Sequence, residues 1–405
     1  MRQDFTLPAY VTAVMRALSK VGHRGYLVGG SLRDLLRGLA PHDYDLTTDA
    51  TPEEMAEIFR DFRVIPTGVK HGTLTVLSEG HPIEVTTHRV DGAYADARHP
   101  TEVSFTRRLE ADLSRRDFTV NAMAWNEEVG LVDLFGGQND LARGILRAVG
   151  DPEARFSEDA LRILRAFRFA AQLEFEIEPL TLAGAKKAAP GLSRIAVERV
   201  FSELTRLLVA KAPERGLAAL LDAGCGEYVF FDTVSRLNRH AALAVLPPDA
   251  LLRLAALFPL LEAERAEALC RRWHAPNAFC EGFSAYLLAR REPLPDSAYT
   301  ARRFTSNYWH YWEGALALRA AAGEDTAAAG ALCRRVARDG TAVEIRRLAV
   351  NGRELQTKLG VLPHRTKDLL LRLQDAVWQD PARNKSAALL ETARAICERE
   401  RDFCE

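Results

Sequence analysis

The chain has 405 residues, beyond the roughly 250 to 300 at which a single hydrophobic core stops growing, so at least two domains are expected. Hydrophobic residues make up 47% and charged ones 27%, with a formal net charge of -1, which excludes disordered, collagen-like and coiled-coil chains. No run approaches the roughly 18 to 20 apolar residues of a membrane span, the amino terminus lacks a signal-peptide core, and six cysteines without a CxxC pair offer neither disulfide frame nor zinc site. No membrane partner and a cytoplasmic location are therefore expected, and the near-neutral balance leaves a nucleic-acid partner open.

Up to about residue 135 short β-type runs alternate with helical ones: GYLVGG, SLRDLLRG, a strand around HDYDLTT, TPEEMAEIFRDF, TLTVL and PIEVTTHRV. This pattern predicts an α+β head, a mixed sheet with flanking helices. Thr51 as N-cap, Pro52 at the first helical position and Glu54 completing a capping box fix the start of one helix. After residue 155 the composition shifts to Ala, Leu, Arg and Glu at helical spacing, as in LRILRAFRFAAQL and AVERVFSELTRLLVAK, which predicts an all-helical extension. LDAGCG (221–226) and REPLP (291–295) are candidate joints.

Two features in the first half carry chemistry. Asp43 and Asp45 stand two apart in a run read as a strand, so both carboxylates are expected on one face. A cation would relieve their repulsion, and hard oxygen ligands without a cysteine or histidine cluster favour Mg²⁺ or Mn²⁺; an exposed D-x-D in a turn is the alternative. Thirteen residues before Asp43, a strand stops at Gly29 and Gly30 and a helix is predicted from Ser31. Glycine amides at a helix N-terminus suit an anion, and Arg33 adds a forked donor. Together these read as a triphosphate cradle beside a metal pair. Glu84, out of phase with Ile83 and Val85, is either a third carboxylate there or a structural residue.

GGSLRD with HDYDLTT behind it resembles the nucleotidyltransferase superfamily, and the segments that follow resemble the class II tRNA nucleotidyltransferases, the CCA-adding enzymes. Residues 91–100 look like that family's flexible loop, DLSRRDFTVN (112–121) its ribose-binding motif, residues 133–169 its connecting and base-reading motifs, IAVERVFSEL (195–204) its neck helix and residues 348–363 its tail. The resemblance implies a head over 1–137, a neck with a base-reading helix over 138–208, a helical body over 209–290 and a tRNA-binding tail over 291–405. It also implies template-independent addition of C, C and A to the tRNA acceptor end from CTP and ATP. Asp43 and Asp45 would hold two Mg²⁺ ions, and the 91–100 loop would serve the addition of A. Phe258-Pro259 stands where many relatives carry a His-Asp pair, so no HD phosphohydrolase site is expected.

The base-reading segment has its own logic. A helix is predicted from Ser157 as N-cap, with Glu158 and Asp159 in its first turn. Asp159 and Arg162, three apart, can meet one planar ligand together. A carboxylate acceptor beside a guanidinium donor matches the amino group and ring nitrogen of cytosine and of adenine, and leaves uracil and guanine with facing acceptors. The plain alternative is acids complementing a helix dipole. The resemblance assigns Arg165 and Arg168 to nucleotide and phosphate contacts; a solvated arginine face is their alternative. One of Arg115 and Arg116 should face ribose or triphosphate, Asp117 is either a nucleotide residue or an N-cap for a helix over FTVNAMAW, and Asn121 is structural. A bacterial poly(A) polymerase, an enzyme adding part of the CCA end, and a non-catalytic RNA-binding protein are the competing readings.

Overall fold

The structure, a computed structural model, describes residues 5–66, 68, 72–91 and 103–403. The chain divides into two units, residues 1–235 with 272–274, and residues 236–271 with 275–405.

The first unit opens with helix α1 (Ala9–Ser19), strand β1 (Gly25–Val28), α2 (Gly29–Leu36), β2 (Asp45–Thr48), α3 (Pro52–Ile58), β3 (Arg63–Ile65), β4 (Thr73–Ser78) and β5 (His81–Thr87). A ribbon of β6 (Arg89–Asp91) and β7 (Val103–Phe105) precedes α4 (Leu109–Ser114), and β8 (Met123–Asn126) and β9 (Gly130–Asp133) complete a seven-stranded sheet of order β3-β4-β5-β2-β1-β8-β9. Every neighbouring pair is antiparallel except β2 and β5, which run parallel. The expected mixed sheet with flanking helices is therefore present. Alternation does the sorting: Leu74 and Val76 of β4 and Ile83 and Val85 of β5 join Leu27, Leu46, Val11, Leu18 and Phe59 in one core. Tyr26 and Val28 face the other way, onto Leu113 of α4 and Ala124. The capping box at Thr51 forms as expected, with Thr51 Oγ1 accepting from Glu54 N and Glu54 Oε2 accepting from Thr51 N.

Helices then take over, with α5 (Gly137–Arg143), α6 (Pro152–Glu158), α7 (Leu161–Leu173), α8 (Pro179–Ala188), α9 (Val197–Leu208) and α10 (Pro213–Asp222). The only strands after β9 among the described residues are two-residue pieces, Ile145–Leu146 beside Glu176–Ile177. Helix α7 is buried along most of its length and packs against α9 and α10. Gly216 permits that approach, since a Cβ there would stand 2.4 Å from Phe167 O.

The second unit is helical. Its terminal part gathers Leu355, Leu369, Leu373, Val377 and Leu389 into a core, and Asn351 starts the helix Gly352–Leu359 with a capping box to Glu354. LDAGCG (221–226) runs from the end of α10 to the start of the next helix and REPLP (291–295) lies between helices, and neither coincides with the boundary between the two units at 235/236. Among the described residues no helix is long and apolar enough to cross a membrane, and the cysteines are free. Residues 92–100, the bulk of the loop singled out in the sequence, lie outside the described residues.

Candidate active site

A cleft of about 750 Å³ opens in the first unit between the sheet and the helices α7 and α9. Its floor begins at the β1–α2 turn. Val28 ends β1 extended, and Gly29 takes φ 66°, in the left-handed region that favours glycine. A Cβ there would lie 3.6 Å from Arg116 Nη1 and 3.9 Å from Asp45 Oδ2, so turn, guanidinium and carboxylate converge at this glycine. Helix α2 starts at Gly29 rather than at Ser31, and Ser31 does not line the cleft. It is buried instead, its Oγ donating to Val28 O (2.8 Å) and accepting from Asp45 N (3.4 Å), and so ties the turn to the first residue of β2. Gly30 and Arg33 do line the cleft. Arg33 is held by Asn121 Oδ1 (2.9 Å) and Asp34, and Asn121 itself also lines the cleft.

The D-x-D pair is not wholly on a strand. Asp43 lies in a bend and β2 begins at Asp45. Both still line the cleft, and parallel pairing sets Asp45 opposite Glu84 of β5, so Glu84 and Thr86 reach the same wall. Burial, reinforced by the negative charges of Asp43 and Glu84, pushes the Asp45 carboxyl up from 3.8 to about 6, with Arg116 offsetting only part. A hard divalent cation suits this donor set. Among the described residues no three His, Cys, Asp or Glu stand together so as to hold a metal ion by themselves.

The opposite wall is arginine-rich. FTVNAMAW is not a helix: one 3-10 turn, Thr119–Asn121, leads straight into β8, because Trp125 and Ala124 pair with Leu27 and Val28 of β1. Asp117 therefore caps no helix. Its Oδ1 accepts from Phe118 N (2.9 Å) and Asn121 Nδ2 (3.3 Å), and its Oδ2 accepts from Arg165 Nε (2.8 Å) and Nη2 (2.6 Å). Burial opposes its charge, but Arg165 and these hydrogen bonds outweigh it and hold the carboxyl below its usual range. Arg165 and Arg168 are accordingly not a solvated face. Arg168 is buried, its Nε 2.6 Å from Glu203 Oε2 and its guanidinium 4.0 Å from the Phe169 ring centroid.

The helix start expected at Ser157 is also corrected. Asp151, accepting from Ala154 N (2.9 Å), and Pro152 at the first position start α6 earlier, and Ser157 and Glu158 are its last residues. Asp159 then runs extended (φ −141°, ψ 104°) between α6 and α7. Its Oδ1 accepts from Leu161 N and its Oδ2 from Arg199 Nη2, both at 3.0 Å. Arg162 donates to Glu158, to Arg155 O (3.0 Å) and to Arg115 O (3.0 Å). Asp159 and Arg162 thus share the cleft as expected, through a break between helices and not through one helical face.

Sequence reasoning gave Asp112 no role beyond its place in the 112–121 motif, and missed Arg199 and Glu203. The last had a signal: Glu203 falls on the buried stripe of Val200, Leu204 and Leu207 in α9, where an acid requires a cation. Nothing local marks Arg199 as the partner of a residue 40 positions away.

The sequence profile of the Poly A polymerase head domain matches residues 25–147, and that described as the probable RNA and SrmB-binding site of polymerase A matches residues 174–234. The CCA-adding enzyme of Streptococcus agalactiae is 41% identical over 271 residues, 66% of this chain and 67% of that one. That of Limosilactobacillus fermentum is 49% identical over 220 residues, 54% of each. The crystal structure of the Bacillus stearothermophilus CCA-adding enzyme in complex with CTP superposes with a TM-score of 0.81 at 30% identity, covering 96% of this chain and 98% of that one. With a relative of that identity matched over nearly its whole length, and with a glycine turn, carboxylates and arginine wall meeting in one cleft, the chain belongs to the CCA-adding enzymes, a family of nucleotidyltransferases.

Proposed function

We propose that this cleft transfers CMP and then AMP units from CTP and ATP to the 3′ end of tRNA, building C, C and A without a nucleic-acid template. The tRNA 3′-hydroxyl oxygen bonds to the α-phosphorus, the bond from that phosphorus to the β-phosphate bridge breaks, pyrophosphate leaves, and the hydroxyl proton passes to solvent. Asp43 and Asp45 would hold two Mg²⁺ ions, with Glu84 as the third carboxylate of that wall; when bound, such ions lower the hydroxyl pKa and neutralise the leaving oxygens. The remaining work belongs to the chain's own groups. The amides of the turn at Gly29 and Gly30, backed by Ser31, and the guanidiniums of Arg33, Arg115 and Arg116 bind the triphosphate and ribose. Asp117 orients Arg165, and Arg168 stiffens the wall behind them. Asp159 and Arg162 read the base, accepting from the amino group and donating to the ring nitrogen that C and A share.

The observation that carries this reading is the meeting, in one cleft, of Asp45 and Glu84 on one side with Asp159 and Arg162 on the other. The proposed division of labour keeps the head at 1–137, the neck at 138–208, the body at 209–290 and a tRNA-binding tail at 291–405, with residues 91–100 serving A addition, no HD phosphohydrolase activity and a cytoplasmic location. The test is incubation of tRNA ending before CCA with all four NTPs and Mg²⁺, followed by sequencing of the product ends. CCA termini are expected. A long A tail would make the chain a poly(A) polymerase, C-only or A-only products would make it a partial enzyme, and unextended tRNA would leave an RNA-binding protein.

A further inference from the structure

Beneath the arginine wall sits a carboxylate that touches neither the cleft nor solvent. Asp112, on α4, has a side chain 0% exposed, and it holds both guanidiniums of the RRD run. Its Oδ1 accepts from Arg115 Nε (3.0 Å) and Nη2 (2.6 Å), and its Oδ2 accepts from Arg116 Nη2 (3.0 Å). Burial opposes its charge, but Arg116 and Arg115 together overcome that and keep the carboxyl ionised well below the usual range. Its Oδ1 also lies 3.4 Å from the backbone N–H of Arg89, the first residue of β6, whose strand leads into residues 92–102.

Arg116 is held at one end only. Its Nη2 is fixed by Asp112, its Nη1 lies toward the Gly29 turn, and its Nε is buried with no hydrogen-bond partner. A guanidinium fixed at one corner, with its Nη1 turned to the glycine turn, is placed to donate to an anion bound there. The same short helix also orders the base-reading wall, because Arg155 Nη2 donates to Ser114 O (2.7 Å) and Arg162 Nη2 donates to Arg115 O (3.0 Å).

We infer that Asp112 is a positioning residue for nucleotide binding: it aims Arg116 at the triphosphate, and it does so independently of which base is bound. This rests on the proposed reading of the cleft as a nucleotide site. The chemistry aimed at is a polyphosphate, so inorganic tripolyphosphate should feel the same loss as CTP.

Binding of CTP, UTP and tripolyphosphate to the full chain, measured by calorimetry without tRNA, tests it. Asp112→Asn is expected to weaken CTP and tripolyphosphate by the same factor, about tenfold, while the CTP-to-UTP preference and tRNA affinity stay at wild-type values. In extension assays the loss should appear in KM for CTP and ATP more than in kcat. In an Arg116→Ala background the further change Asp112→Asn should cost less than about twofold, since the group it aims is gone. If Asp112→Asn fails to fold with two guanidiniums uncompensated, the cycle is run on Arg115→Gln, where adding Asp112→Asn removes one negative charge against the positive charge already removed. Equal CTP affinity with and without the Asp112 carboxylate overturns the inference, as does a full tenfold loss in the Arg116→Ala background. Absence of CTP binding by the wild type would instead overturn the nucleotide-site reading.

Discussion

The two walls of the cleft treat charge in opposite ways. On the sheet side, Asp43, Asp45 and Glu84 crowd together, and Asp45 is pushed up to about 6 because burial and like charges disfavour its ionised form. On the helical side each acid has a guanidinium: Asp117 with Arg165, Glu203 with Arg168, Asp159 with Arg199, Glu158 with Arg162. The paired wall is built before any ligand arrives. The crowded wall gathers like charges that a bound cation would relieve, and that difference separates what binds from what shapes.

The largest effect should come from the crowded wall. Asp45→Asn is expected to lower incorporation of both C and A by at least about a thousandfold in Mg²⁺, while tRNA affinity is nearly unchanged and the metal-free protein melts no lower than the wild type. Substantial activity would sink the metal assignment, and a lower melting point would mean that the carboxylate is structural. The paired wall should fail in the reverse manner. Glu203→Gln leaves Arg168 buried without its carboxylate and should cost about 3 kcal/mol of stability by denaturant titration, with activity at low temperature falling far less.

Asp159 belongs to the paired wall yet is proposed to meet the base, so it sharpens the contrast. Asp159→Ala should reduce CTP and ATP use and narrow discrimination against UTP by tenfold or more, beyond the roughly 0.3 to 1 kcal/mol of a helix-dipole effect. Arg162→Ala should weaken all four nucleotides. Unchanged selectivity in Asp159→Ala, with a small loss of melting temperature, would reduce Asp159 to a partner of Arg199.

The smallest effect concerns His88, which bonds Thr47 Oγ1 of β2 at 2.8 Å and is pushed down from 6.5 to about 4, mainly by burial, with Arg116 and Arg115 adding to that and Asp112 and Asp49 opposing it. Between these values the unfolded chain binds a proton that the folded chain refuses, so stability should fall as pH drops from 6.5 toward 4. His88→Asn should flatten that part of the pH–stability curve by on the order of 1 kcal/mol. An unaltered slope would show that His88 takes up its proton equally in the folded and the unfolded chain.

Features governed by a few neighbouring residues were legible. The Thr51 capping box and the glycine turn both rest on spacing of a few residues, whereas the strand expected to carry both acids begins only at Asp45. Readings failed where local signals competed or where a distant partner decided. Asp151-Pro152 is a stronger helix start than Ser157, and the turn after Glu158 lets Asp159 reach Arg199. The four residues of β8 are buried throughout, and such a short apolar run does not distinguish strand from helix; its partners β1 and β9 make it a strand. Ser31 follows two cleft glycines in the chain, but the first turn of α2 points its hydroxyl back at Val28 and away from the cleft.

The sequence by itself therefore determined the chemical inventory and the family: which stretch holds carboxylates, which holds glycines, and which helices carry arginine. Only the tertiary structure decided which charges are answered. Glu84 reaches Asp45 because β2 and β5 pair in parallel, and Arg116 is aimed because Asp112 is sealed beneath it. Those partnerships follow from burying apolar strand faces and helix stripes against one another, which sets contacts between residues far apart in the chain that no local window records.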